Sequence, residues 1–296
     1  MADPDTSPID LISRLRARQE GMSRQENRVA AYVLDNLDRA VHQNLGEIAA
    51  GADVSVATVN RFCQTLGCSG FKEFRIRLAM NVSASMHYLG NPATVPTRPD
   101  DLIGQIVDGM TAALEQTRST LDPAALERAA EALAGSERIV FLGVGGGSAV
   151  LARDAANRFF RLGKASEAHA DGYLARMLAA TLEPGHALVA LSQSGRPAEL
   201  TDAVQIARQY GAETIAVTRP ATPLAELCDI AITLDPPEAA DLFKPTASRV
   251  AFMAVIDMLA AATAARTPDV SREKLRRIRT ALAPLNPTDK PHPIGD

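Results

Sequence analysis

Cysteine is scarce in this chain of 296 residues. Cys63, Cys68 and Cys228 are odd in number and lack the spacing of metal ligands, so neither a disulfide framework nor a zinc site is indicated, and all three are expected to be buried thiols. No cofactor is called for. No apolar stretch is expected to reach the ~18–20 residues of a membrane span. The opening segment MADPDTSPID is acidic where a secretory leader would be basic and then apolar. A cytoplasmic protein without a membrane partner is therefore expected. Any marked excess of positive charge is missing too, since 31 Lys and Arg stand against 35 Asp and Glu.

That net charge of −4 conceals a segregation. Between Arg14 and Arg77 ten Lys or Arg oppose seven Asp or Glu, whereas residues 91–296 hold 21 against 25. Positive charge gathered at the N-terminal end permits contact with phosphates. The length itself suggests two domains. The composition breaks at GNPATVPTRPDD, Gly90 to Asp101, where three prolines interrupt helical patterns on both sides. The division expected is a helical domain over 1–89, a linker over 90–100, an α/β domain over 101–285 and a disordered tail over 286–296.

In the first domain Ser23 and Glu26 form a capping box, opening a helix with Val29, Ala30, Val33, Leu34 and Leu37 on one stripe. Next, LGEIAAGADVSVATVNRFCQTLG reads as helix, turn, helix. Ala49 is small enough to let the two helices cross, Gly51 relaxes the turn, and Ser55 caps the second helix, which Val54, Val59 and Phe62 pin to the first. Ser55, Ala57, Thr58, Asn60, Arg61 and Gln64 are small or polar residues near the start of that second helix. This is the part a recognition helix inserts into the major groove. Asn and Gln suit adenine edges, Arg suits guanine, and Thr58 suits a thymine methyl or a phosphate. The same residues equally suit an ordinary solvated face of a small bundle. Downstream, LGCSGFKEFRIRLAM sharpens the choice. The VSVATVNRF run, Leu66-Gly67 and Gly70-Phe71-Lys72-Glu73-Phe74 resemble the N-terminal domain of the RpiR family of bacterial regulators, over residues 10–85. The resemblance implies binding to operator DNA as a homodimer or homotetramer. Phe71 and Phe74 are expected in the core.

After Gly90–Asp101 the runs RIVFLG, ALVALS, TIAVT and IAITL alternate with helical segments, the pattern of a doubly wound αβα sandwich on a parallel sheet. The glycine-rich turn GVGGGS opens a helix at about Ser148, so Gly146, Gly147 and Ser148 bring backbone N–H groups to an anion. It fails the dinucleotide pattern, because Ser148 occupies the last glycine position and no acidic residue ends the second strand, placed near Ala165–Ala168. A second turn, SQSG, sets Ser192, Ser194 and Gly195 between a buried strand and a helix, where two hydroxyls can bond a phosphate oxygen. The two loops in this order resemble the sugar isomerase (SIS) domain that RpiR regulators carry at their C-terminus, which implies a sugar-phosphate effector. Pro197 stands where the S-x-S-G-x-T pattern has threonine, removing a hydroxyl; Arg196 either compensates or lies on the surface. The spacing LD-P-E, the run D-x-x-x-P-x-x-S-R over Asp241–Arg249 and FFRLG over Phe159–Gly163 resemble the hexose-metabolism, HexR-like branch of that family. That branch implies 2-keto-3-deoxy-6-phosphogluconate as effector, with Lys244, Ser248 and Arg249 near its anionic groups or at an interface.

The same α/β domain serves sugar-phosphate isomerases and etherases, so fold alone leaves an enzyme open. An aldose–ketose isomerase needs a base placed to move a proton between adjacent carbons. The candidates Glu199, Glu183, His186 and His169 form no evident acid–base pair, and an isomerase has no use for the N-terminal helices. A bare metabolite-binding partner protein is a third possibility, against which the DNA-reading face argues. The sequence thus points to a regulator without catalytic residues.

Overall fold

The computed structural model describes residues 10–17, 21–89, 98–237 and 247–285, and the chain divides into two compact units, Met1–Val95 and Pro96–Asp296. Lys244, the tail from 286 and most of the expected linker lie outside the described residues.

The first unit is helical: α1 (Leu11–Ala17), α2 (Arg24–Asp35), α3 (Leu37–Ala40), α4 (Leu45–Gly51), α5 (Val56–Thr65) and α6 (Phe71–Leu89). Both halves of the Ser23–Glu26 capping box form at the start of α2. A second box, Asn44 with Glu47, opens α4 and went unread in the sequence. Val29, Ala30 and Val33 of α2 are buried, but α2 stops at Asp35 and Leu37 begins α3. One core joins Val29, Val33, Ile48, Ala49, Val59, Phe62, Phe74 and Leu78. Phe62 and Phe74 meet edge to face with ring centroids 5.5 Å apart, an arrangement aromatic pairs prefer.

The second unit runs α7 (Pro99–Thr120), α8 (Pro123–Gly135), β1 (Arg138–Leu142), α9 (Gly146–Arg161), β2 (Ala165–His169), α10 (Gly172–Ala179), β3 (His186–Ser192), α11 (Ala198–Gln209), β4 (Glu213–Thr218), α12 (Pro223–Leu227), β5 (Ile230–Thr233), α13 (Ala247–Arg266) and α14 (Pro268–Leu282). The five strands are parallel in the order β2-β1-β3-β4-β5. Alternation along each strand splits the core in two. Ile139, Phe141, Val189 and Val217 face α8, α9 and α13, while Val140, Leu142, Leu188 and Ala190 face α10, α11 and α12. This is the αβα sandwich read from the alternating runs. The chain order reverses between β1 and β3, which defines a topological switch point.

One expectation needs correction. Helix α13 is long and apolar enough, by length and composition, to cross a membrane, with a mean hydropathy of 1.5. Its stripe Ala251, Phe252, Val255, Ile256 and Leu259 is buried against the sheet, which accounts for that composition. Among the cysteines, Cys63 and Cys68 are buried and Cys228 half-buried. Burial pushes the Cys63 and Cys228 thiols up to about 12, so both are protonated and unreactive near neutral pH.

Candidate functional site

The first candidate lies on α5. Ser55 stands at its N-cap, and its hydroxyl accepts from the Thr58 amide at 3.2 Å. Ser55, Ala57, Arg61 and Gln64 are exposed and Asn60 is half-buried, so these side chains share an open face at and beyond the helix start. Thr58 does not belong to it. Only 1% of Thr58 is exposed, its hydroxyl bonds Gln25 Oε1 at 3.1 Å and it sits 3.0 Å from Ser55 Oγ, so it ties α5 to α2 rather than facing outward. Val56, unread in the sequence, takes the outward place at 45% exposure and offers the apolar surface that suits a thymine methyl. An exposed valine at the first helical position was the available signal.

The turn before α5 is built differently from its reading. Gly51 still belongs to α4, and a Cβ there would lie 2.3 Å from Tyr32 Cζ, so glycine admits the tyrosine ring. The left-handed residue is Asp53, with φ 51°, whose carboxylate pairs with Arg28. Aspartate tolerates that conformation better than most residues.

The second candidate lies at the C-terminal edge of the sheet. Leu142, the last residue of β1, is the register partner of Ala190, two residues before β3 ends at Ser192, so the loops leaving the two strands rise from the same edge of the sheet. From there they part: α9 packs on one face of the sheet and α11 on the other. Such a division opens a crevice between two helix N-termini, where α/β sheets hold ligands.

Each wall has a backbone reason for its glycines. A Cβ on Gly143 would lie 2.1 Å from Ser148 O, so the loop folds tightly onto the first turn of α9. Gly145 caps α9 with φ 84° and ψ 175°. The helix therefore opens at Gly146, two residues ahead of the expected Ser148, and Gly146, Gly147 and Ser148 form its first turn. Amides in the first turn have no acceptor within the helix. Gly146 and Gly147 are exposed and Ser148 half-buried.

On the other wall Ser192 ends β3 almost wholly buried, and its hydroxyl accepts from the Gly195 amide at 3.1 Å. Ser192 thus shapes the loop, while Ser194 and Arg196 are exposed. Gly195 has φ 60°, and a Cβ on it would lie 2.3 Å from Thr222 Oγ1 and 2.7 Å from Thr218 Oγ1. These two buried threonines form a floor under the loop that the sequence reading missed; Thr222-Pro223, an N-cap followed by proline, was its signal. Pro197 is the N-cap of α11 and makes no side-chain cap, so the hydroxyl that threonine would place there has no substitute on that residue. Ser248 is buried and Arg249 exposed in the first turn of α13.

The candidate acid–base residues are scattered. His186 opens β3 and Glu183 precedes it, at the sheet edge opposite the loops. His169 ends β2 beside them, but its Nε2 lies 2.8 Å from Glu167 Oε2, and Glu167 also accepts from Arg138. Burial opposes ionisation of Glu167, yet the hydrogen bonds from His169 and Arg138 hold its carboxyl below the usual range. The stem of Glu199 packs against Gly172.

Comparison with known proteins identifies the two domains that carry these candidates. Residues 9–85 match the helix-turn-helix domain of the rpiR family, and residues 132–262 match the SIS domain. The chain is 34% identical to the HTH-type transcriptional regulator HexR of Escherichia coli over 93% of its own length and 94% of that protein. It is 31% identical to HexR of Pseudomonas aeruginosa, covering 93% and 96%. Among solved structures, the Vibrio vulnificus NanR protein complexed with ManNAc-6P superposes with a TM-score of 0.60 at 26% identity, over 94% of this chain and all of that one.

Proposed function

Since the chain belongs to the RpiR family of helix-turn-helix regulators with a SIS domain, we propose that it reads operator DNA through α5 and is switched by a phosphorylated sugar. The phosphate is held in the crevice between the loops after β1 and β3. The observation that carries this reading is the pairing of Leu142 with Ala190 combined with the opposite placement of α9 and α11. Helix N-termini flanking such a crevice are a natural anion site. The first-turn amides of Gly146, Gly147 and Ser148, the loop amides around Gly195 and the hydroxyl of Ser194 are the donors. The effector we assign is 2-keto-3-deoxy-6-phosphogluconate, whose carboxylate finds exposed guanidinium groups in Arg196 and Arg249. Ala57, Asn60, Arg61, Gln64 and Val56 read base edges, and Ser55 keeps the helix start in place.

The active form is a homodimer or homotetramer whose paired α5 helices meet two half-sites. Ligand closing the two loops shifts the packing between subunits and changes half-site spacing. A coupling of about 1–3 kcal/mol alters operator affinity ~5–150-fold, enough for a switch. The scatter of Glu183, His186 and His169 supports a sensor rather than an isomerase.

A thermal-shift titration with a panel of sugar phosphates, 2-keto-3-deoxy-6-phosphogluconate and ManNAc-6P among them, tests the sensor. Ligand at 100 times its Kd adds ~2.7 kcal/mol to the native state. Stabilisation of wild type but not of Ser194→Ala with Ser192→Ala is expected; no response to any sugar phosphate would sink the reading. A mobility shift on promoter DNA, with and without the stabilising compound, tests the switch.

A further inference from the structure

Helix α14 carries Arg272, Lys274, Arg276, Arg277 and Arg279 against Asp269 and Glu273, a balance of +3 in 15 residues. That equals the balance of the whole segment from Arg14 to Arg77, ten basic against seven acidic residues. Removing α14 from residues 91–296 leaves 16 basic and 23 acidic residues, so the helix is an isolated positive feature on an otherwise acidic unit.

The charges lie at the surface and are partly paired along the helix, Arg272 with Asp269 at 4.0 Å and Arg276 and Arg277 with Glu273, which leaves Lys274 and Arg279 outside these pairs. Ser271, Leu275 and Ile278 recur at helical spacing on the covered side, and Ser271 is buried, while all five basic residues are exposed. The helix is also docked firmly: a Cβ on Gly163 would lie 2.8 Å from Lys274 Cγ, so the lysine stem lies across the end of α9 and sends its ammonium outward. Glu273 is gripped by a two-pronged bond from Arg276, at 2.7 and 2.8 Å, and by Arg277 at 2.7 Å. One carboxylate shared by two guanidinium groups holds both in place and leaves net positive charge at the surface.

We infer that α14 is a second DNA-contacting surface, which binds backbone phosphates of duplex DNA. This rests on the DNA-binding reading above. A row of exposed arginines on a rigid helix fits the polyanionic backbone, which rewards local cations irrespective of net protein charge. Contacts of this kind add affinity without sequence preference.

The test uses the full-length protein and a 40-bp random-sequence duplex, with binding followed by anisotropy across a salt series. Three proteins are compared: wild type, Arg61→Ala, and Arg272→Gln/Lys274→Gln/Arg279→Gln. Each phosphate contact contributes about −0.9 to the slope of log K against log salt. The triple variant is expected to bind more weakly, with a slope shallower by about 1–3 units and an unchanged sedimentation mass and melting temperature. If its slope equals that of wild type while Arg61→Ala weakens binding, the inference fails and the α5 reading stands. If wild type does not bind duplex at all, both fail. A changed sedimentation mass in the triple variant would make α14 a protein–protein surface and also overturn the inference.

Discussion

Gly195 packs against Thr222 so closely that a Cβ on the glycine would come within 2.3 Å of the threonine hydroxyl. The packing explains why the loop after β3 has glycine where the backbone turns at φ 60°. The same relationship joins the loop to the start of α12, because the Leu224 amide donates to Gly195 O at 3.2 Å.

Gly195→Ala faces both a left-handed conformation and a buried hydroxyl. A loss of about 1–3 kcal/mol in denaturant unfolding is expected, from the cost of such strain, together with loss of the effector-induced thermal shift. DNA binding without effector remains as in wild type. An unaltered thermal shift in this variant would show that the ligand does not use this loop.

Thr58→Val and Arg61→Ala separate folding from reading on one helix. Thr58→Val leaves Gln25 without its partner and loses about 1 kcal/mol of stability, a typical hydrogen-bond contribution. Exposed Arg61 does not affect the melting temperature when truncated, but operator affinity falls by about 1–3 kcal/mol if it reads a guanine. Melting curves and mobility shifts on both variants check the pair.

The Glu26 carboxyl is held below its usual 4.5, chiefly by the Ser23 hydroxyl and also by Thr65, against a smaller opposing effect of burial. A lowered folded value means that its contribution is complete above the usual carboxylate range and is lost as pH falls through the folded value. Glu26→Gln should therefore destabilise the protein at pH 7 by roughly 1 kcal/mol, the scale of a helix cap. The gap to wild type should close as unfolding is measured at successively lower pH below 4.5. A gap that is constant with pH would assign the effect to packing instead.

Gly51→Ala tests the close approach of Tyr32. The added methyl must displace a ring that bonds Gln43 through its hydroxyl, with Tyr32 Oη 2.9 Å from Gln43 Nε2. A destabilisation of about 1–3 kcal/mol is expected, as for overpacked cores. An Ala variant more stable than wild type by up to about 1 kcal/mol, as helix propensity alone would suggest, would show that the ring moves freely.

Local signals in the sequence were sufficient for the elements. The Ser23–Glu26 box, the alternating runs that became β1, β3, β4 and β5, and the glycines before α9 are legible because each depends on neighbours a few residues away. Family resemblance was likewise readable, since the VSVATVNRF run and the two loops are contiguous motifs. Tertiary structure decided what depends on distant partners. It turned Thr58 inward to Gln25, 33 residues away, and left Val56 outside. It set Thr218 and Thr222 beneath Gly195, and it hid α13, which by composition passes for a membrane helix, against the sheet. It also brought the ends of β1 and β3 together with α9 and α11 on opposite faces, because strand order follows from how the helices cover both sides of the sheet. A side chain's spacing along its own helix or strand restricts the faces open to it, but which of them meets another element depends on a fold closed by contacts far apart in the chain.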